Sequence, residues 1–159
     1  MNAIELLTAD HRIVDKLFQQ VEATNETDHP AIFEQIKANL DAHAHIEETI
    51  FYPSLQEAGD ETMQELVSEA IQEHLQMKTV LGELAVLVTD PAKLDPLLLT
   101  LIEDVRHHVE EEESELFPMV EEQLDAASLD ELGQQMEAEK KRFIESAESM
   151  SAQFRNETI

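Results

Sequence analysis

The chain has 159 residues, of which 42% are hydrophobic, and only three are Gly and five are Pro. This length fits one domain and this composition favours helices over strands, so we predict an all-α fold. With 36 Asp and Glu against 10 Lys and Arg, the formal net charge of −26 repels phosphate backbones and anionic lipid headgroups. We therefore expect neither nucleic acid nor a membrane surface as a partner.

Cysteine does not occur in the sequence. This excludes disulfides, thiolate nucleophiles, iron–sulfur clusters and cysteine-based zinc sites, so any metal must use His and carboxylate ligands. The N-terminal segment is acidic and amphipathic, without the basic and apolar regions of a secretory signal. We expect a cytoplasmic protein.

Apolar residues at steps of three and four predict a first helix to about Thr24, with Asn2 and Glu5 as a capping pair. Its stripe consists of Ile4, Leu7, His11, Val14, Phe18 and Val21. A second helix is predicted to start at Asp28-His29-Pro30, because proline is tolerated in a first turn, and to end at residues 58–60. Its stripe consists of Phe33, Ile36, Leu40, His43, Glu47, Ile50 and Phe51.

A third helix is predicted after the capping residue Asp60. Its stripe consists of Met63, Val67, Ala70, His74, Met77, Leu81, Leu84 and Val88. Two start signals follow, Asp90-Pro91 and Asp95-Pro96, and the second is predicted to open helix four. The stripe of helix four consists of Leu98, Leu101, Val105, His108, Glu112, Leu116 and Met119. Both apolar stripes thus have a histidine near the middle.

A fifth helix is predicted to begin with a capping box formed by Ser128 and Glu131. Its stripe consists of Leu129, Leu132, Met136, Phe143, Ala147, Met150 and Phe154, with no ligand-type residue. We therefore predict an up-down four-helix bundle over residues 1–122 and an additional helix over 128–155 that packs on the bundle or extends it.

The segment from His43 to Pro53 recurs as the segment from His108 to Pro118, with the His, two Glu, an aromatic residue and the Pro aligned without a gap. The chain therefore consists of two similar hairpins. Residues equidistant from a turn lie at one height in an up-down bundle, because each residue rises ~1.5 Å in both arms. The midpoints between successive stripe histidines fall in the three predicted breaks. The residues expected to converge are His11, His43, Glu47, His74, His108 and Glu112.

A single histidine on an apolar stripe is more often a satisfied core residue than a metal ligand. Two buried carboxylates change this balance, because each is costly to bury without an opposite charge and no Lys or Arg lies beside them on the four stripes. Two divalent metal ions would supply that charge. Imidazole and carboxylate suit iron, with manganese or zinc as alternatives, so the sequence predicts a two-metal site.

The other polar residues near the stripes are expected away from the metals. Successive helix residues rotate by roughly 100°, which places acids beside the stripe on a solvated face. These acids are Glu48, Glu110, Glu111 and Glu113. His45 and His107 lie off the stripe and His29 lies at a helix start expected to be exposed. Tyr52 is interpreted as a residue between helices, with a hydrogen bond to the centre as the alternative.

These motifs resemble the hemerythrin-like, His-His-Glu cation-binding domain family over residues 1 to about 122. The matching motifs are Asp10-His11, His43-x3-Glu47-Glu48 before Phe-Tyr-Pro, Glu73-His74, and His108-x3-Glu112-Glu113 before Leu-Phe-Pro. The resemblance implies a four-helix bundle around an oxo- or hydroxo-bridged, non-heme di-iron centre with Glu47 and Glu112 as bridging carboxylates. Ferritin-like proteins, the nearest rival fold, carry Glu-x-x-His motifs instead.

The sequence departs from the oxygen-carrying members of that family, which have a further histidine one turn from the helix-three ligand. Here these positions are Ala70 and Lys78. The resulting ligand set favours reaction with, or sensing of, oxygen, peroxide or nitric oxide over reversible oxygen carriage. The alternatives are a metal-dependent module that a protein partner reads through the fifth helix, and iron storage or repair. Enzymatic turnover is left open.

Overall fold

The computed structural model describes residues 1–157, with side chains as far as Gln153, and every regular element in that part of the chain is helical. The prediction of an all-α fold is confirmed. The helices are α1 (Ala3–Ala23), α2 (His29–Ile46), α3 (Tyr52–Ala58), α4 (Glu61–Val86), α5 (Pro91–Glu111), α6 (Phe117–Gln123) and α7 (Ala126–Glu157). A short 3-10 turn, Glu26–Asp28, precedes α2. Helices α1, α2 with α3, α4, and α5 with α6 form four arms, and α7 packs against α1 and α2.

The predicted caps of two helices are confirmed. Asn2 Oδ1 accepts a hydrogen bond from the Glu5 backbone N–H at 2.9 Å, and the Glu5 carboxylate accepts one from the Asn2 N–H at 3.1 Å. Asp60 Oδ1 accepts from the Met63 N–H at 3.0 Å at the start of α4. Each cap satisfies a backbone donor that has no partner within its helix.

Two predicted helix starts are wrong. Helix α5 begins at Pro91, not at Asp95-Pro96, because the N–H of Leu94 already bonds to the Asp90 carbonyl at 2.9 Å and Pro96 is accommodated inside the helix. Helix α7 begins at Ala126 and not at Ser128. Its start is capped one turn earlier than predicted, since the Ser128 N–H donates to Asp125 Oδ1 at 2.7 Å.

Two π-helical turns interrupt the arms that contain the internal repeat. The first, Glu47–Phe51, joins α2 to α3, and the second, Glu112–Leu116, joins α5 to α6. Each wide turn ends one residue before a residue–proline pair, Tyr52-Pro53 or Phe117-Pro118. The two turns begin at Glu47 and Glu112, the glutamates expected at the centre. π-Helical turns within α-helices often occur at functional sites.

The apolar core is divided into two clusters. One cluster includes Leu7, Ile46 and Leu116, and the other includes Val14 and Val105. The predicted metal-site residues lie along the arms between these clusters, as a buried polar layer.

The fifth predicted stripe is buried only in its first half. Leu129, Leu132 and Met136 are buried in the first cluster, whereas Ala147 and Met150 are exposed. Phe154, the last predicted stripe position, has a side chain outside the described residues. No helix in the described part of the chain is long and apolar enough to cross a membrane.

Candidate metal centre

Four buried histidines, one from each arm, meet between the two apolar clusters. His11 lies in α1, His43 in α2, His74 in α4 and His108 in α5, and each is between 4% and 7% exposed. The rings form two edge-on pairs, His11 with His43 and His74 with His108, with centroids 4.9 Å apart in both. The four stripe histidines therefore lie at one level of the bundle.

Glu47 is fully buried between the two histidine pairs. Its Oε1 lies 3.1 Å from His43 Nε2 and 3.2 Å from His74 Nε2, yet neither carboxylate oxygen makes a hydrogen bond within the described residues. Burial opposes ionisation, but the nearby His43 and His74 outweigh it and hold the pKa of Glu47 well below its usual range. Glu47 is thus a buried carboxylate facing one histidine of each pair.

Glu112, which is 2% exposed, has the equivalent position across the centre. Its Oε1 lies 3.3 Å from His11 Nε2 and its Oε2 lies 3.5 Å from His108 Nε2. Oε2 also accepts a hydrogen bond from the Tyr52 hydroxyl. Like Glu47, Glu112 faces one histidine of each pair.

Several inward atoms of this cluster have no hydrogen-bond partner in the part of the chain that the structure describes, and all are of the types that bind cations. Among the described residues, the buried atoms without a hydrogen-bond partner are His11 Nε2, His43 Nε2, both carboxylate oxygens of Glu47, and Glu112 Oε1. Buried polar atoms are normally paired, and each of these belongs to a side chain that can act as a metal ligand through it. Two groups have ligand atoms within 4.8 Å of one another, namely Glu47, His74, His108 and Glu112, and His11, His43 and Glu112. The arrangement can hold a metal, and the two groups share Glu112.

The electrostatic field at the centre also favours positive charge. Burial disfavours the charged form of His43, but the carboxylates of Glu47 and Asp10 together outweigh burial and raise the pKa of His43 to about 10. Burial acts in the same way on His108, where hydrogen bonds to Glu112 and Glu73 raise the pKa to about 11. The buried carboxylates of Glu47 and Glu112 therefore stabilise positive charge beside them.

Each of the four histidines is also held from outside the centre, through its Nδ1 atom, by a carboxylate. The pairs are His11 with Glu113 at 2.8 Å, His43 with Asp10 at 3.0 Å, His74 with Glu48 at 2.9 Å and His108 with Glu73 at 2.9 Å. A carboxylate accepts the Nδ1 proton, which fixes the ring orientation and turns Nε2 inward, where a metal ion would displace any proton on that nitrogen. All four Nε2 atoms are thereby prepared as ligands.

The expectation that Glu48 and Glu113 lie on a solvated face is wrong. Both are partly buried, because each reaches across to a histidine on another arm. The contacts of Asp10 with His43 and of Glu73 with His108 were not predicted, although each acid directly precedes a stripe histidine in sequence. Glu110, by contrast, is exposed as expected.

A third layer of positive side chains lies outside three of these carboxylates. Arg12 Nη2 lies 2.6 Å from Glu113, Lys140 Nζ lies 2.5 Å from Asp10, and Lys78 pairs with Glu48. No Lys or Arg ion pair is found at Glu73 within the described part of the chain. Glu111 lies beside Glu73 instead, and burial and the charge of Glu73 raise the pKa of Glu111.

Tyr52 points into the centre, so the alternative of a hydrogen bond to the centre is confirmed and its interpretation as a residue that lies only between helices is wrong. Its hydroxyl donates to Glu112 and lies 3.2 Å from His74 Nε2. Burial and the charges of Glu47 and Glu112 raise its pKa well above the usual value, which keeps the hydroxyl protonated. Phe117, the equivalent residue of the repeat, instead stacks on His11 at 5.9 Å. The hydroxyl therefore distinguishes one side of the centre from the other.

A sequence model described as the Hemerythrin HHE cation binding domain matches residues 2–120. The chain belongs to this family. A crystal structure of an HHE cation-binding domain-containing protein from Mycobacterium kansasii has a TM-score of 0.77 and 28% sequence identity, and the match covers 92% of this chain and 90% of that one. A curated protein from Nostoc sp. strain PCC 7120, named DNA nickase, is 27% identical over 145 residues. That match covers 90% of this chain and 40% of the relative, so the HHE domain spans less than half of the relative's length.

The remaining histidines of this HHE domain lie away from the centre. His45 Nε2 lies 2.7 Å from Glu139 of α7, and His107 Nε2 lies 3.0 Å from Glu111 on the surface. His29 is buried rather than exposed, since its ring bonds to Asp95 and to a backbone carbonyl of α1. None of the three joins the inward cluster.

Proposed function

We propose that this HHE domain binds two iron ions, which His11, His43, Glu47, His74, His108 and Glu112 would hold, with Glu47 and Glu112 as the carboxylates shared between them. The observation that carries the proposal is that each buried glutamate lies between the two histidine pairs and faces one histidine of each pair. Histidine and carboxylate ligands without thiolate suit iron, and manganese or zinc would use the same atoms.

We further propose that the centre reacts with or senses oxygen, peroxide or nitric oxide. A cavity of about 40 Å³ adjoins the four histidines and is lined by apolar side chains that include Val14, Leu81 and Val105. By the same measure a single water molecule needs roughly 10–15 Å³, so this space admits molecules of the size of oxygen, peroxide or nitric oxide. A groove of about 400 Å³ between α1 and α5 reaches His11 and would give such molecules access.

The side chains around the centre would have separate roles. The bound iron would supply redox and Lewis-acid chemistry. The outer carboxylates hold the histidine rings in place, and the Tyr52 hydroxyl donates a hydrogen bond at Glu112 while it remains protonated. The apolar cavity wall limits the water that reaches the site.

Iron binding can be tested with two adjacent histidines of α5. We expect the wild-type protein to hold two irons per chain with oxo-bridge absorption bands that change on addition of azide or peroxide. His108→Ala should lose at least one iron, because His108 faces Glu112, whereas the exposed neighbour His107→Ala should keep both. Iron-free wild-type protein, or equal iron in both variants, would refute the assignment.

The choice among the functions can be made with the iron-loaded protein. Consumption of peroxide or nitric oxide at a rate that His108→Ala abolishes would support a reactive centre, and stable binding without turnover would support sensing. We do not extend DNA nicking to this chain, because its net charge of −26 opposes contact with phosphates. Protection of a labelled DNA duplex at physiological salt would contradict that expectation.

A further inference from the structure

Helix α7 reaches the candidate metal centre through an ion pair between the partly buried Lys140 and the buried Asp10. Lys140 Nζ lies 2.5 Å from Asp10 Oδ1, and Asp10 Oδ2 accepts a hydrogen bond from His43 Nδ1 at 3.0 Å. Asp10 is only 6% exposed, unlike the carboxylates of the surface ion pairs. A continuous connection thus runs from α7 through Asp10 to a histidine that faces Glu47.

Among the described side chains, this connection has no counterpart in the other half of the internal repeat. Glu73 holds His108 as Asp10 holds His43, but α7 follows the two hairpins, and its described lysines form an ion pair at Asp10 and not at Glu73. The fifth helix therefore makes the two halves of the centre unequal, although their six inward residues are arranged alike.

The position of Lys140 is fixed by contacts on both sides of it along α7. Met136 is fully buried, one turn before Lys140. Near Lys140, Glu139 bonds to His45 of α2 at 2.7 Å, and the ring of Phe143 stacks on His45 at 4.5 Å. Lys140 can therefore act on Asp10 only while this part of α7 is docked.

We propose that Lys140 is a positioning residue of the metal centre, which holds Asp10 against His43 and so couples the docking of α7 to metal binding. This proposal rests on the proposed iron site. Free energy coupling is reciprocal: if docked α7 strengthens metal binding by some factor, metal binding strengthens the docking of α7 by the same factor.

The proposal predicts that removing the charge of Lys140 weakens iron binding, whereas simple repulsion between Lys140 and the metal would predict tighter binding. Lys140→Met keeps the apolar part of the side chain but removes the charge, and it should weaken ferrous iron binding by roughly tenfold, as loss of an outer partner does elsewhere. A lysine that merely repelled the metal would give tighter binding in this variant. Lys140→Arg should restore wild-type affinity, and exposed Lys141→Met provides the matched control. The measurement is an anaerobic titration with ferrous iron alone.

Amide hydrogen exchange gives a second readout, first in the wild-type protein and then in Lys140→Met. Ferrous iron should slow amide exchange in α7 around residues 136–143 by roughly the same tenfold factor as the change in iron affinity. Lys140→Met should remove that protection. Equal iron affinity of Lys140→Met and Lys141→Met, tighter binding by Lys140→Met, or unchanged α7 exchange on iron binding would overturn the coupling. Wild-type protein that binds no iron would instead overturn the proposed function, so the two failures are distinct.

Discussion

His29 and Asp95 form a hydrogen bond of 2.7 Å between Nδ1 and Oδ1, which joins the start of α2 to α5. The other ring nitrogen of His29 donates to the Val21 carbonyl at 2.9 Å. Because a carboxylate and a carbonyl both accept, both nitrogens carry protons and the imidazole is charged. Burial opposes this charge, but Asp95 and the backbone carbonyls together outweigh burial and raise the pKa of His29. One side chain thus joins α1, α2 and α5.

This contact predicts a specific pH dependence of stability. The pKa of His29 is raised in the folded state above its unfolded value of ~6.5, so its stabilisation is fully present below that pH and is lost as pH rises through the folded pKa. His29→Gln should lower the free energy of unfolding by about 1–3 kcal/mol at about pH 6, and the difference from wild type should shrink as the pH is raised. Urea unfolding at several pH values, in one metal state, measures it.

Exposed His107→Gln is the control for that experiment and should leave the pH dependence unchanged. Asp95→Asn should also remove the dependence, because it removes the charge that raises the pKa of His29. A wild-type advantage that is constant with pH would show that His29 is not a titrating contact.

Glu47→Gln tests the proposed bridging role. The amide keeps the size of the side chain but loses the charge and one of the two oxygens that would bridge, so we expect fewer than two irons per chain. Metal that binds only the folded state stabilises it, so the rise in melting temperature on iron addition should also shrink. Glu110→Gln makes the same charge change at an exposed position and should behave as wild type. An unchanged iron count in Glu47→Gln would argue against bridging.

The convergence of the six inward residues could be predicted because it depends on local properties. Helical period fixes which face a residue occupies, and turn positions fix its height, so His11 and His43 could be placed at one level without knowledge of packing. The structure brings all six side chains together. Their role as metal ligands stays a prediction.

The outer parts of the centre depend on contacts between helices and were not predicted. Glu48 lies about 100° from Glu47 around the helix, a position that is solvated in an isolated helix but contacts His74 in the bundle. Tyr52 faces inward because the π-helical turn before it changes the rotation of the chain. Lys140 depends on where α7 docks, which no local pattern specifies.

The outer carboxylates predict an effect on affinity without loss of ligands. Glu113→Gln keeps an oxygen that can accept from His11 but loses the charge, and Arg12 loses its ion-pair partner. We expect iron affinity to fall by roughly tenfold or more, while two irons still bind at saturation. Exposed Glu115→Gln is the control. Titration of both proteins would contradict the prediction if their affinities matched.

The docking of α7 against the start of α1 predicts opposite effects of one substitution at two glycines. Ala is favoured over Gly inside helices by about 1 kcal/mol, and a Cβ atom on Gly82 of α4 meets no atom within 4 Å, so Gly82→Ala should raise the melting temperature. At Gly133 of α7 a Cβ atom would lie 2.3 Å from the Met1 carbonyl oxygen and 2.8 Å from the Asn2 backbone. Gly133→Ala should therefore destabilise by about 1–3 kcal/mol, since backbone has to move. If both variants were stabilised alike in thermal unfolding, α7 would not be docked this closely in solution.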